Sequence, residues 1–86
     1  MTKMQKLEHD IRTAHENGVK YLLLGIQCYK AKEIIMINRD DFIDKLEYCK
    51  RAYNDDLVMS SNSNIKIMTY MFLDNVIIEQ LDISKA

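Results

Sequence analysis

Apolar residues recur at steps of three and four in the first segment, at Met4, Leu7, Ile11 and Ala14. That is the spacing of a single stripe on an α-helix. Thr2, with Gln5 three residues later, has the form of a capping box that opens such a helix. Asn17 and Gly18 can take the left-handed conformation that closes it, so the helix is expected to end near Glu16. The next run, VKYLLLGIQCY (19–29), is too evenly apolar for an amphipathic helix and carries Gly25 in its middle; it reads as a strand. EIIMI (33–37) is rich in β-branched residues and follows the polar stretch YKAK, which predicts a hairpin between the two runs.

A second helix is expected from Asn38 as its cap to about Tyr53, with Asp40, Asp41 and Asp44 near its start and Lys50 and Arg51 near its end, the polarity that suits the helix dipole. Phe42, Ile43, Leu46, Cys49 and Tyr53 line its inner side, while Asp41–Lys45 and Glu47–Arg51 are spaced for pairs on the outside. SSNSN (60–64) is a loop. IKIMTYMFL (65–73) is a strand, and NVIIEQLDI (75–83) fits either a further strand paired through an Asp74–Asn75 turn or a short helix capped by Asp74. The fold class is therefore α+β: a small antiparallel sheet of three to four strands with two α-helices, in the order α-β-β-α-β followed by a strand or a helix.

The strands pose a difficulty. Strict alternation places Ile65, Ile67, Thr69, Met71 and Leu73 on one side of the last strand and Lys66, Met68, Tyr70 and Phe72 on the other, and both sides are mostly apolar. The hairpin repeats the pattern: Leu22, Leu24 and Ile26 oppose Tyr21 and Leu23, and Ile35 and Ile37 oppose Ile34 and Met36. A sheet with two apolar faces needs two covers. Either one helix packs on each face or the C-terminal segment folds over, or else both helices lie on one side and the other face meets a partner, which a second copy of the chain could supply. Met36, Met59, Met68 and Met71 with Tyr70 and Phe72 would make such a face adaptable, although a Met-rich stripe is more often ordinary core. The residues expected to meet a partner are Met68, Tyr70 and Phe72, supported by Tyr21 and by the helix charges Asp44, Glu47 and Arg51.

Size and composition narrow the function. At 86 residues with 48% hydrophobic content, the chain fits one domain, residues 1–86, with one core. Twelve Lys and Arg against 13 Asp and Glu remove the broad attraction that most nucleic-acid binders use. Lys20, Lys30 and Lys32 with Tyr21 and Tyr29 are the exception, since around one hairpin they hold the ingredients of a small single-strand platform; lysines there also simply keep a sheet edge soluble. Cys28 and Cys49 belong to no C-x-x-C pair and read as reduced core thiols. With no leader-like h-region and no stretch long enough to span a bilayer, the expectation is a soluble cytoplasmic protein without membrane contact.

The search for chemistry is short. His9 and His15, six residues apart, leave a helix on different sides and read as solvated. Asp55–Asp56 lacks the glycine and terminal glutamate of a calcium loop and reads as a turn. Two glycines, Gly18 and Gly25, cannot build a familiar phosphate loop. No catalytic, metal or cofactor residue is expected, and the chain reads as a non-enzyme.

Residues 48–72, YCKRAYNDDLVMSSNSNIKIMTYMF, resemble a pattern in small proteins of temperate phages and prophages of Gram-positive bacteria, in which a helix ends in an Ala-Tyr-Asn-Asp-Asp-Leu run followed by a polar loop and an Ile-Lys-Ile strand. The matching positions are Ala52, Tyr53, Asn54, Asp55, Asp56, Leu57, Ile65, Lys66 and Ile67. The resemblance covers under a third of the chain. It implies a context in which such proteins bind and inhibit a host protein, as anti-CRISPR and other anti-defence proteins do, in the host cytoplasm. The expectation is thus a protein-binding module, with a small nucleic-acid-binding or regulatory protein and a self-assembling homo-oligomer as the alternatives.

Overall fold

The capping box forms as the sequence predicts: Gln5 N–H donates to the Thr2 hydroxyl at 3.0 Å and Thr2 N–H donates to the Gln5 side-chain oxygen at 2.8 Å. It opens helix α1, Lys3–Glu16, in the computed structural model, which describes residues 1–74. The undecided segment 75–83 lies outside the described residues. Strands β1, Tyr21–Cys28, and β2, Ala31–Asn38, follow; then comes a single 3₁₀ turn at Arg39–Asp41, helix α2, Phe42–Ala52, and strand β3, Ile65–Leu73. Among the described residues the sheet is three-stranded and antiparallel, ordered β2-β1-β3. The class is α+β, with the predicted order α-β-β-α-β.

Three local expectations are corrected. The hairpin turn is only Tyr29–Lys30, with Cys28 paired to Ala31, because Tyr29 takes the positive φ of 59° that a two-residue turn needs to follow the strand twist. Asn38 does not cap α2; it is the last residue of β2, paired with Tyr21, and its side chain makes no capping bond. The Asp41–Lys45 and Glu47–Arg51 pairs give way to contacts between the helices, Lys50–Glu8 and Arg12–Glu47, and to other contacts within them. Lys50 Nζ sits 3.0 Å from Glu8, Arg12 lies 3.0 Å from Glu8 and 3.6 Å from Glu47, and Lys45 lies over the Tyr48 ring at 4.8 Å.

Both helices pack on the same face of the sheet. Met4, Leu7, Ile11 and Ala14 of α1 and Phe42, Leu46 and Cys49 of α2 share one core with Leu22, Leu24, Ile37 and Ile67 of the strands, along with Tyr53 and Leu57. Alternation accounts for the strand members, since Leu22 and Leu24 turn toward the helices while Tyr21, Leu23 and Gly25 turn away. The segment after α2 closes the core from the side. The Asn54 side-chain oxygen accepts from the N–H groups of Asp56 and Val58, and Leu57, at a φ of 65°, drives its side chain inward. A left-handed non-glycine residue costs on the order of 1–3 kcal/mol, which complete burial of a leucine offsets. The same segment pairs with the start of β3, with Ile67 N–H donating to Leu57 O and Met59 N–H to Ile65 O. Asp55–Asp56 is the predicted turn, and Asp55 O accepts from Met4 N–H.

Candidate functional site

The strand that raised the two-face problem does not alternate throughout. Ile26 pairs with Ile67 and Gly25 with Thr69, so Met68 is an extra residue, a β-bulge. One inserted residue exchanges the faces of everything beyond it. Ile65 and Ile67 therefore face the helices before the bulge, and Tyr70 and Phe72 face them after it, packed against the core. Thr69, Met71 and Leu73 turn to the opposite side.

The side away from the helices is the candidate site. Its centre is the cross-strand set Met36–Leu23–Met71 and Ile34–Gly25–Thr69, with Tyr21 between Asn38 and Leu73 at one end. Ile34 is 76% exposed, Met71 55%, Met68 52% and Met36 48%. The opposite end carries Gln27 flanked by Lys32 and Lys66. Gly25 leaves the middle concave, and two shallow hollows open there: one of about 110 Å³ between Leu23, Ile34 and Met71, and one of about 250 Å³ bounded by Lys32, Ile34 and Met68. Gly25 and Thr69 line both. A Cβ on Gly25 would lie 2.8 Å from Thr69 Cγ2, so a side chain here would require Thr69 to shift.

The expected partner residues thus fall on three surfaces. Tyr21 and Met68 belong to the outer face. Tyr70 and Phe72 do not: Phe72 packs edge-on to Phe42 and Tyr70, at ring separations of 6.3 and 6.0 Å, on the helix side. The bulge moved them there. Asp44, Glu47 and Arg51 are exposed on α2, across the molecule from the outer face. Met59, expected in the adaptable face, packs half-buried against the core. Leu23, Ile34, Met36 and Met71 are outer-face residues that the expected set omits, and Gly25 in mid-strand was the signal that a close approach or bulge lay nearby.

The hairpin lysines are not gathered. Lys20 precedes Tyr21, whereas Lys30 and Lys32 sit at the turn, so the length of β1, roughly 25 Å, separates them. Tyr29 is held at the turn end, its hydroxyl accepting from Asn62 at 2.8 Å. The hairpin therefore does not bring Lys20 and Tyr21 together with Tyr29, Lys30 and Lys32, the set from which the nucleic-acid alternative was read.

Polar chemistry concentrates where α1 crosses β3. Tyr70 donates its hydroxyl proton to Asp10 at 2.6 Å, and Lys6 donates to the same oxygen at 2.8 Å. The Lys6 bond, then the Tyr70 bond, hold the Asp10 carboxyl below its usual range, while burial pushes the Tyr70 hydroxyl up. Each group is satisfied by the others, which makes this a tether between helix and strand. His9 is exposed as expected. His15 is half-buried, with its ring 6.3 Å from Phe42 and its carbonyl accepting two bonds from Arg39 at 2.7 and 3.1 Å. Both cysteines are free; Cys49 is buried and its thiol is pushed up by that burial, and Cys28 is half-buried at the hairpin end. Among the described residues no three His, Cys, Asp or Glu side chains converge as metal ligands, and no helix is long and apolar enough to cross a membrane.

No protein-family model, curated protein or solved structure matches the chain.

Proposed function

We propose that this chain is a non-enzymatic protein-binding module whose docking surface is the outer face of its sheet. The observation that carries this reading is the exposure of Ile34, Met36, Met68 and Met71 together on one face, with no helix of the described residues over them. A monomer seldom leaves a contiguous apolar patch of several hundred Å² in water without a use for it. Methionines adapt to the contours of a partner, and Tyr21 supplies an aromatic at the rim. The likeness of residues 48–72 to small phage proteins supplies the context: a phage-encoded inhibitor that acts in the host cytoplasm by occupying a host protein, such as a CRISPR or other defence nuclease.

The test is capture from a Gram-positive host lysate by the tagged chain and by Ile34→Asp, a change on the solvent side of an edge strand. The wild-type chain is expected to recover a stoichiometric host protein and the variant to lose it, with both giving the same circular dichroism. Recovery of no stoichiometric partner, at low salt and at high, overturns the proposal.

A further inference from the structure

Resting on the reading that this chain docks protein, we infer that its partner enters as an extended segment added to the open edge of β2, beside Ile34 and Met36. The register fixes which backbone groups that edge offers. Arg39 N–H donates to Lys20 O at 2.8 Å, so Lys20 and Arg39 are a hydrogen-bonded pair, and such pairs alternate along an antiparallel ladder. Counting back from them, Ala31, Glu33, Ile35 and Ile37 direct their N–H and C=O groups at β1, whereas those of Lys32, Ile34 and Met36 point away from it. Among the described residues no further strand lies against these three, and no turn or loop backbone bonds them.

The two edges of the sheet differ in this respect. On β3 the outward groups of Ile65 and Ile67 are taken by Met59 and Leu57, and the bulge at Met68 interrupts the strand beyond them. Such closures keep a strand edge from pairing with other chains. β2 has none of them: its eight residues hold no proline, its register with β1 runs without a shift, and Lys32 is its single lysine. A regular apolar edge of this length is a template for another strand.

The chemistry of the occupant follows from the side chains. An added strand sets the residues opposite Lys32, Ile34 and Met36 on the outer face alongside them. Ile34 and Met36 are among the most exposed apolar side chains of the sheet, and Lys32 makes no ion pair among the described residues. The segment that fits carries apolar residues opposite Ile34 and Met36 and an acidic residue opposite Lys32. Backbone bonds then supply the affinity, and these alternate side chains supply the choice of partner. The added strand also continues the outer face, so one partner engages edge and face together.

Amide hydrogen exchange of the full chain, free and in the complex captured from the host lysate, tests this. In the free chain the amides of Lys32, Ile34 and Met36 are expected to exchange fast and those of Glu33, Ile35 and Ile37 slowly; in the complex the first three are expected to slow by at least about tenfold. An ester in place of the Glu33–Ile34 amide removes the Ile34 N–H and keeps every side chain, and it is expected to weaken binding about fivefold. A complex in which Lys32, Ile34 and Met36 still exchange fast overturns the inference and leaves the docking reading in place. Slow exchange of the three in the free chain also overturns it: where dilution restores fast exchange the occupant is a second copy, and where it does not, residues 75–86 hold the edge. If no stoichiometric partner is captured, the docking reading falls and this inference falls with it.

Discussion

The two faces of the sheet are built from nearly the same residues. Leu22, Leu24, Ile35 and Ile37 look toward the helices, and Leu23, Ile34 and Met36 look away. Among the described residues, only the first set is covered. Leucine and isoleucine on a strand do not by themselves specify a core; what specifies it is the layer opposite, here α1 and α2 joined through Glu8, Arg12, Lys50 and Glu47. The inner face spends its apolar surface on folding, and the outer face is the one proposed above to meet a partner.

The strongest way to break this contrast is a matched pair of truncations. Leu24→Ala is expected to lower stability by about 3–4 kcal/mol in urea unfolding, while Ile34→Ala stays within about 0.5 kcal/mol. Equal costs would mean that the outer face is as enclosed as the inner. Next in size is the central glycine. Gly25→Ala is expected to cost about 1–2 kcal/mol because the new methyl meets Thr69 Cγ2 at 2.8 Å. Removing that methyl with Thr69→Ser in the double variant should return most of the loss, and a cycle with no coupling would show that the close approach is not what constrains the position.

Tyr70→Phe sharpens the comparison at the seam between the faces. It removes the 2.6 Å bond to Asp10 and the longer 3.5 Å bond that the hydroxyl accepts from Lys6, so a loss of about 1 kcal/mol is expected, with no change in partner capture. A change in capture would put Tyr70 back on the docking surface. The smallest effect is that of acid. Asp10 is held below its ordinary 3.8, first by Lys6, and Glu8 below its ordinary 4.5, first by Lys50. A carboxyl whose folded value is depressed stabilises fully above its unfolded value, and the contribution disappears as pH falls through the folded one. The Tm should therefore decline as pH drops below 4.5, and Asp10→Asn and Glu8→Gln should flatten that decline. Added salt should reduce it too, since these pairs lie near the surface.

Much of the fold was legible because its signals are local. Thr2 and Gln5 close their capping box within three residues, and the stripe Met4–Leu7–Ile11–Ala14 is buried as its spacing implies. Phe42, Leu46, Cys49 and Tyr53 mark the inner side of α2 for the same reason, with Ile43 left half-buried at its margin. The outer face was legible only in part. Tyr21 and Met68 could be placed outside, but Tyr70 and Phe72 could not be placed inside, because alternation read along residues 65–73 has no term for a bulge. The three lysines of the hairpin looked clustered because the chain is read as a line; once folded, it puts them at opposite ends of β1.

By itself, the sequence determined which segments up to Leu73 are helix and strand, and that the strands carry more apolar surface than one face can use; propensity and periodicity act over a few residues, within which the chain is its own context. The tertiary structure alone decided which of the two faces the described residues leave bare. That choice depends on the pairing of Gly25 with Thr69 across some forty residues of chain, where a single extra residue, Met68, turns two aromatics inward. It depends as well on both helices packing on the same side, and no local pattern encodes either one.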